Sequence, residues 1–294
     1  MSQENTRRDS GYLLLAMGTI LFWSSAFTLT KIALEDFSVG ALGFLRYLIS
    51  SVFLLVIFLA KKQSLPEKKD LPGLFLTGLI GFSIYMIAFN KAQETLTSAT
   101  GSIVIATVPI MTSILALLIY KEKMRKLAWL AIAIEFSGII ILTLWNGVFS
   151  INIGVLWMFT AAICISVYNL MQRKYTLKYN SLQATTLSIW GGTIFLGVFA
   201  KPAFTEMLEA STTSLLSVVL LAIFPSALGF LMWTKALARA GRTASVTNFM
   251  FVTPLLATLI GFSLIGEIPD LGTIVGGTVI LSGVLLFNII NSRK

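Results

Sequence analysis

The chain has 294 residues, of which 56% are hydrophobic and only 12% charged, and its formal net charge is +9. Because a soluble domain carries about 25% charged residues, this composition excludes a soluble globule and indicates a polytopic membrane protein. There is no histidine and a single cysteine, Cys164, so His-based metal or haem sites and a disulfide framework are excluded, and we expect no metal and no cofactor.

Apolar runs of membrane-spanning length recur along the whole chain. A bilayer core about 30 Å thick needs roughly 20 apolar residues per helix. Ten such runs occur, at residues 12–30, 39–60, 72–90, 99–120, 127–145, 153–171, 181–200, 214–234, 244–265 and 271–290. Most connections are too short for a soluble domain, so the sequence predicts an all-α integral membrane protein with ten transmembrane helices.

The basic residues predict the orientation of these helices. If the N-terminus is cytoplasmic, 18 of the 22 Lys and Arg residues lie in cytoplasmic segments. The other four lie at external ends or within spans: Lys31, Arg46, Lys91 and Lys201. This bias predicts cytoplasmic N- and C-termini. The basic residues form short clusters between apolar runs, so we expect no nucleic-acid partner.

The two halves of the chain resemble each other. Residues 11–31 align with residues 154–174, and residues 90–122 with residues 234–267. The matched residues include three pairs: Lys91 with Lys235, Pro109 with Pro254, and Glu122 with Glu267.

This similarity divides the chain into two five-helix repeats, residues 1–148 and 149–294, that form one transport unit. Since five is odd, the second repeat begins on the opposite side of the membrane. Inverted repeats are typical of secondary transporters, whose substrate binds near the midplane at the repeat interface.

Four short motifs, taken with their order and spacing along the chain, also resemble a known family. They are FWSSAFTLTK at 22–31, FLRY at 44–47, VP at 108–109 followed by IYKE at 119–122, and TPLLATLIGFSLIGE at 253–267. Together they resemble the drug/metabolite transporter superfamily, and within it the ten-helix EamA-type exporters. The resemblance implies that helices 1–4 and 6–9 surround a central cavity, with helices 5 and 10 outside. It also implies export of amino acids, metabolites or drugs.

Polar and aromatic residues near the predicted midplane are candidates for the substrate cavity, because unpaired polar groups are costly in an apolar environment. They are Trp23, Ser24, Thr28, Tyr85, Phe89, Asn90, Thr107, Thr112, Tyr168, Asn169, Trp190, Trp233 and Asn248. The alternative for Ser and Thr is a bond to a helix backbone, and for tryptophans near helix ends a place at the membrane interface. An aromatic, uncharged lining favours a flat or amphipathic organic solute, such as an aromatic or apolar amino acid.

Two duplicated pairs are candidates for mechanical roles. Pro109 and Pro254 each remove one helical hydrogen bond, which predicts kinks or hinges, although proline is also common in membrane helices. Glu122 and Glu267 end their helices, which predicts a gate or a cap; solvated interfacial carboxylates are the alternative.

Two charges lie deep within predicted spans. Glu135 shares a helical stripe with Ala128, Ala131 and Gly138, which predicts close packing against another helix. Arg46 lies about 10 Å from the external end of its span and Glu135 about 15 Å, so an ion pair is our preferred interpretation. Alternatively, Glu135 couples protons, binds substrate or contacts lipid or a second subunit, and Arg46 holds an anionic substrate group.

These observations predict a secondary transporter that exports a small organic solute across the cytoplasmic membrane by alternating access. The alternatives are an importer, a bidirectional facilitator, a lipid scramblase or a membrane assembly protein without transport activity. An enzyme is not expected, because no nucleophile–base pair or carboxylate cluster is visible. The expected partners are the solute and the lipid bilayer; protons as coupling ion, and a monomer or a homodimer, stay open.

Overall fold

The protein is a bundle of apolar helices. The computed structural model describes residues 11–120, 126–145, 152–239, 246 and 248–292, and within these ranges it contains no β-strand. The helices are α1 Gly11–Ala33, α2 Val39–Ala60, α3 Lys68–Gln93, α4 Ser98–Ile119, α5 Lys126–Leu144, α6 Ile153–Thr176, α7 Ser181–Glu209, α8 Thr212–Arg239, α9 Thr253–Ile265 and α10 Leu271–Ser292. Seven of them are long and apolar enough to cross a membrane, and α5, α9 and α10 contain shorter apolar segments. The prediction of an all-helical, multi-pass membrane protein is confirmed.

The outer surface of the bundle is apolar. Large hydrophobic side chains point outward along many helices, including Leu14, Val56, Ile194 and Leu255, each more than half exposed. A soluble protein rarely exposes so much contiguous apolar surface, so this surface suits lipid.

One predicted helix is longer than expected. The seventh span was predicted to end at residue 200, but α7 continues to Glu209 through a short turn, Gly197–Phe199, into Ala200–Glu209. The extension packs on α2, where the Phe204 ring lies 6.0 Å from that of Phe44. Lys201 is therefore within a helix and not at its end.

Eight helices form a closed ring in the order α1, α9, α4, α6, α3, α7, α2 and α8. The first half of the chain contributes α1–α4 and the second half α6–α9, so both halves line the interior. Helices α5 and α10 lie outside and pack mainly on each other. This is the arrangement that the family resemblance implies.

Contacts between connecting segments define the two ends of the ring. At the Lys31 end, Ser211 N donates to Asp36 Oδ2 at 2.9 Å. Gly154 also lies there so close to Thr95 that a Cβ atom added to the glycine would clash with the Thr95 hydroxyl. At the opposite, Lys61 end, Gln183 Nε2 donates to the Ser64 carbonyl at 2.8 Å. Helix α1 ends at the Lys31 end, whereas α6 begins there, so the first helices of the two halves run in opposite directions.

Four helices depart from regular α-geometry at corresponding places in the two halves. Helices α3 and α8 contain π-helical segments, Leu79–Ile84 and Ala222–Gly229. Such segments are rare and frequently lie at functional sites.

Helix α4 is interrupted just before its proline, and α9 begins just before its own. The first part of α4 is Ser98–Ile105 and its second part begins at Val108, while a 3-10 turn, Asn248–Val252, precedes α9. Pro109 and Pro254 each stand second in the following helix, where a backbone N–H has no helical partner to lose. A role of these prolines as kinks or hinges stays a prediction.

Candidate functional site

The interior of the ring contains a cluster of aromatic side chains from both halves. This aromatic core consists of Trp23, Tyr47, Phe82, Tyr168, Phe230 and Trp233. The Phe82 ring is its centre, with centroids 5.2 Å from Tyr47, 5.1 Å from Tyr168 and 4.8 Å from Phe230. Trp23 joins it from α1, 4.9 Å from Trp233. The tilted and edge-on packing is the geometry that aromatic rings prefer.

The π-helical segment of α8 holds two neighbouring helices. Pro225 lies within this segment and has no N–H, and the widened turn leaves carbonyl groups free for other partners. Trp23 Nε1 donates to the Pro225 carbonyl at 3.1 Å, and Ser50 Oγ donates to the Ala222 carbonyl at 2.8 Å. The segment therefore orients Trp23 and ties α2 to α8.

Arg46 of α2 is 3% exposed and lies at the edge of the aromatic core. Its Nε donates to Ser226 Oγ in the α8 segment, and its Nη1 donates to Met86 Sδ on α3 at 3.6 Å. Its guanidinium carbon lies 5.9 Å from the centre of the Tyr47 ring. No Asp or Glu in the described ranges forms an ion pair with it.

The ion pair predicted between Arg46 and Glu135 is wrong. Glu135 is fully buried in α5, and neither of its carboxylate oxygens has a hydrogen-bond partner among the residues that the structure describes. Helix α2 packs within the ring, whereas α5 packs outside it on α10. Similar depth in the membrane does not make two helices neighbours.

The close packing predicted from the small residues near Glu135 is present. A Cβ atom added to Gly138 would lie 2.8 Å from the Gly276 carbonyl oxygen, and one added to Gly283 would lie 2.7 Å from the Glu135 nitrogen. The backbones of α5 and α10 are therefore in direct contact.

A polar cluster ties three helices together at the Lys31 end. Helix α9 ends at Gly266 in the left-handed conformation (φ 67°), and this turn directs Glu267 back toward α1 and α4. There the Glu267 carboxylate pairs with Lys31 Nζ and accepts from the Ser98 N–H at 2.8 Å. Lys31 also donates to the Leu96 carbonyl at 2.9 Å. We call Lys31, Leu96, Ser98 and Glu267 the Lys31 latch.

The charge state of Glu267 follows from this setting. Its partial burial acts to raise the pKa of the carboxyl group, but the hydrogen bonds from Lys31 and Ser98 outweigh burial and hold the pKa below its ordinary value. Glu267 is therefore ionised at neutral pH, as the latch requires. Its repeat counterpart, Glu122, lies outside the described residues.

Three predicted cavity residues bond to backbone carbonyls. Thr107 Oγ1 donates to Val104 of its own helix at 2.7 Å. Ser24 Oγ reaches the Thr253 carbonyl of α9 at 3.5 Å, and Trp190 Nε1 reaches the Ser51 carbonyl of α2 at 3.3 Å. The Thr107 bond stays within its helix, and the other two join neighbouring helices; bonds of both kinds are the expected alternative to substrate binding for Ser and Thr in membrane helices.

Three others lie toward the Lys31 end. Thr28 Oγ1 shares a hydrogen bond with Ser98 Oγ at 3.2 Å, beside the latch. Phe89 is buried, with its ring 5.7 Å from the half-buried Tyr85. Asn90 Nδ2 donates to the Val39 carbonyl at 3.0 Å.

Among the predicted cavity residues, four buried polar atoms have no partner in the described part of the chain: Asn90 Oδ1, Thr112 Oγ1, Tyr168 Oη and Asn169 Nδ2. Asn169 Oδ1 accepts from Trp233 Nε1 at 3.2 Å, so this asparagine joins the aromatic core while its Nδ2 stays available. Asn248 begins a 3-10 turn, and its side chain lies outside the described part of the chain. Of the predicted cavity residues, the structure thus brings together Trp23, Tyr168, Asn169 and Trp233.

The sequence analysis did not predict several site residues of α8, or the residue at the centre of the aromatic core. Phe82, Phe230, Pro225 and Ser226 were not singled out. Pro225 was the strongest available signal, since it lies in the middle of a predicted span. The repeat comparison, however, places Phe82, not a proline, at the corresponding position.

A cavity of about 280 Å³ opens at the Lys61 end of the ring, between α2, α7 and α8. It is lined by Lys61, Gln63, Asn180, Ser181, Leu182, Leu231 and Lys235.

Comparisons with known proteins agree with this architecture. The sequence profile of the EamA-like transporter family matches residues 10–144 and 152–289. The uncharacterized transporter YdfC of Bacillus subtilis is 34% identical over 89% of this chain and 86% of its own length. A probable terminal-alkyne amino-acid exporter of Streptantibioticus cattleyicolor is 28% identical over 92% of this chain and 91% of its own length.

A protein of known crystal structure shares the fold. It superimposes with a TM-score of 0.66 at 17% identity, over 97% of this chain and 98% of its own.

The uncharacterized inner membrane transporter YedA of Escherichia coli is 26% identical over 84% of this chain and 80% of its own length. The two profile matches and the YdfC similarity together cover nearly all the described helices. The chain belongs to the EamA-like transporter family and is a multi-pass transporter of the cell membrane.

Proposed function

We propose that this transporter exports a small organic solute, an amino acid or a related metabolite with an apolar or aromatic body. The observation that carries the proposal is the aromatic core, which both halves build inside the ring. Its rings can cover an apolar body, while Asn169 Nδ2 and the Arg46 guanidinium offer donors beside it. The halves, residues 1–148 and 149–294, act as one unit of two inverted repeats and rock against each other.

The direction of transport rests on the two ends of the ring. The Lys31 latch joins α1, α4 and α9, whereas the cavity opens at the Lys61 end. The excess of Lys and Arg favours an orientation with the Lys61 end and both termini in the cytoplasm. With that orientation, the cavity at the Lys61 end supports entry of solute from the cytoplasm. The similarity to an amino-acid exporter supports the same direction and solute class.

Transport is tested by counterflow in proteoliposomes loaded with unlabelled L-phenylalanine, L-leucine or L-methionine. We expect uptake of the labelled amino acid and a roughly tenfold loss in Trp233→Leu, which removes a ring from the core. Trp129→Leu is the matched control, because Trp129 is 51% exposed on α5. Absence of flux for every solute class, or scrambling of labelled lipid without solute flux, would refute the proposal.

Orientation is tested by cysteine labelling in a Cys164→Ser background, which removes the one native cysteine. Thr212→Cys at the Lys31 end should react with a membrane-impermeant maleimide in intact cells. Ser64→Cys at the Lys61 end should react only after permeabilisation. The reverse pattern would invert the topology and remove the argument for export.

A further inference from the structure

We propose that Arg46 binds the carboxylate of the transported solute, which makes carboxylic acids with an apolar or aromatic body the substrate class. This inference rests on the proposed function.

Arg46 points into the ring and not between adjacent helices. Its Nε reaches Ser226 on α8, and its Nη1 reaches Met86 on α3. In the ring, α8 lies on one side of α2, whereas α3 lies beyond α7 on the other. A side chain that contacts both α3 and α8 must cross the inner face of α2.

The partners of Arg46 do not compensate its charge. A guanidinium has five N–H donors, and a thioether sulfur is a weak acceptor. In the described part of the chain, its hydrogen bonds go to one hydroxyl and one thioether, and no carboxylate pairs with it. Burying 97% of a cation without a counter-ion is energetically costly. A bound carboxylate would reduce this cost, because it would supply the counter-ion.

The geometry of the guanidinium suits this ligand. Its planar fork can donate two parallel hydrogen bonds to one carboxylate, as an ammonium cannot. The next residue, Tyr47, belongs to the aromatic core, with its ring 5.2 Å from that of Phe82. A solute held by its carboxylate at Arg46 would therefore extend its apolar body toward the core. Because the core rings are in contact in this conformation, the body enters as they separate.

Among the residues that the structure describes, no acidic side chain pairs with Arg46, so none there would favour an amine alone. The polar side chain that accepts from its Nε is the uncharged Ser226 hydroxyl. The charge of the site is positive, so the carboxylate and not the ammonium group decides recognition.

The experiment compares each acid with its carboxamide, which has the same shape and amine but lacks the negative charge of the carboxylate. Thermal shift and competition of counterflow are measured with L-phenylalanine, L-leucine and L-methionine, each against its carboxamide. We expect the wild type to prefer the best acid over its amide by about tenfold or more, because the amide loses the charge-assisted pair. In Arg46→Gln the acid-to-amide ratio should fall to about one, with binding of the amide retained.

Two further variants separate binding from a structural role. Arg46→Lys keeps the charge without the fork and should show an intermediate ratio, and it serves as the test if Arg46→Gln does not fold. Lys91→Gln removes a different cation, which pairs with Glu94 at the Lys31 end, so it should preserve the ratio.

Each other result overturns the inference. If wild type prefers no acid over its amide, or if Arg46→Gln and Arg46→Lys lower acid and amide equally, Arg46 only pins α2 to its neighbours. In those cases counterflow of the amides still supports the proposed function. If wild type carries no solute at all, the proposed function fails first.

Discussion

Glu135 is a buried acid on a helix outside the ring, and its carboxylate oxygens are unpaired among the described residues. An ionised carboxylate without a partner in this setting costs several kcal/mol, and a neutral amide of the same shape costs less. We therefore expect Glu135→Gln to keep solute flux driven by a pH gradient within about twofold of wild type, with an unchanged or higher melting temperature. The measurement is gradient-driven uptake in proteoliposomes beside thermal unfolding in detergent. Arg46→Gln serves as the comparison variant, because it removes an intramembrane charge that lies inside the ring and not outside it. Loss of gradient-driven flux with counterflow intact in Glu135→Gln would place this acid on the proton path.

The two intramembrane charges show how far residue-level prediction reaches. The depth of Arg46 and Glu135 follows from their distance to helix ends, and the small residues beside Glu135 indicate close packing. Their lateral separation depends on which helices are neighbours, and no pattern within one helix contains that information. The same reason explains why Trp233 was predicted for the site but its neighbour Phe230 was not.

At the scale of helices, α5 and α10 form the tightest contact outside the ring. A methyl group on Gly283 would lie 2.7 Å from the Glu135 nitrogen and 2.8 Å from the Ala131 carbonyl oxygen, and neither backbone atom can move without separating the helices. We expect Gly283→Ala to lower the melting temperature by several degrees, consistent with about 1–3 kcal/mol for overpacking. Gly197→Ala is the matched control, because nothing lies within 4 Å of its added methyl group. Equal melting temperatures for the two variants would contradict this packing.

Helix positions were largely predictable and helix irregularities were not. The limits of α2 were predicted at residues 39–60, because apolar length and flanking polar residues determine them. Two matched prolines predicted irregular geometry in α4 and α9. The π-helical segment of α8 contains Pro225, but the corresponding segment of α3, Leu79–Ile84, has no proline and so carries no such signature.

At the scale of the whole molecule, the odd number of helices in each repeat determines that the halves run in opposite directions. The ring order could not be derived from that count; it came from the family resemblance. The sequence predicted Glu267 as a gate or a cap, but neither source predicted Lys31 as its partner, since the two residues are 236 positions apart in sequence.

The Lys31 latch joins α1, α4 and α9, so opening of the ring at this end requires it to break. We expect Lys31→Gln to speed maleimide labelling of a cysteine placed at Ser24, a buried position farther inside α1, in a Cys164→Ser background. Lys91→Gln is the matched control, because Lys91 pairs with Glu94 on its own helix at the same end.

Acid should have the same effect as Lys31→Gln. The pKa of Glu267 is held below its ordinary value, so the latch is complete at and above the pH at which a free carboxyl group ionises, about 4.3. As the pH falls through the lowered pKa, the carboxylate is protonated and the pair is lost. Labelling at Ser24→Cys should therefore be insensitive to pH between about 5 and 7 and accelerate only in stronger acid, with Glu267→Gln fast throughout. Equal labelling rates in Glu267→Gln, Lys91→Gln and the parent protein would mean that another contact closes this end of the ring.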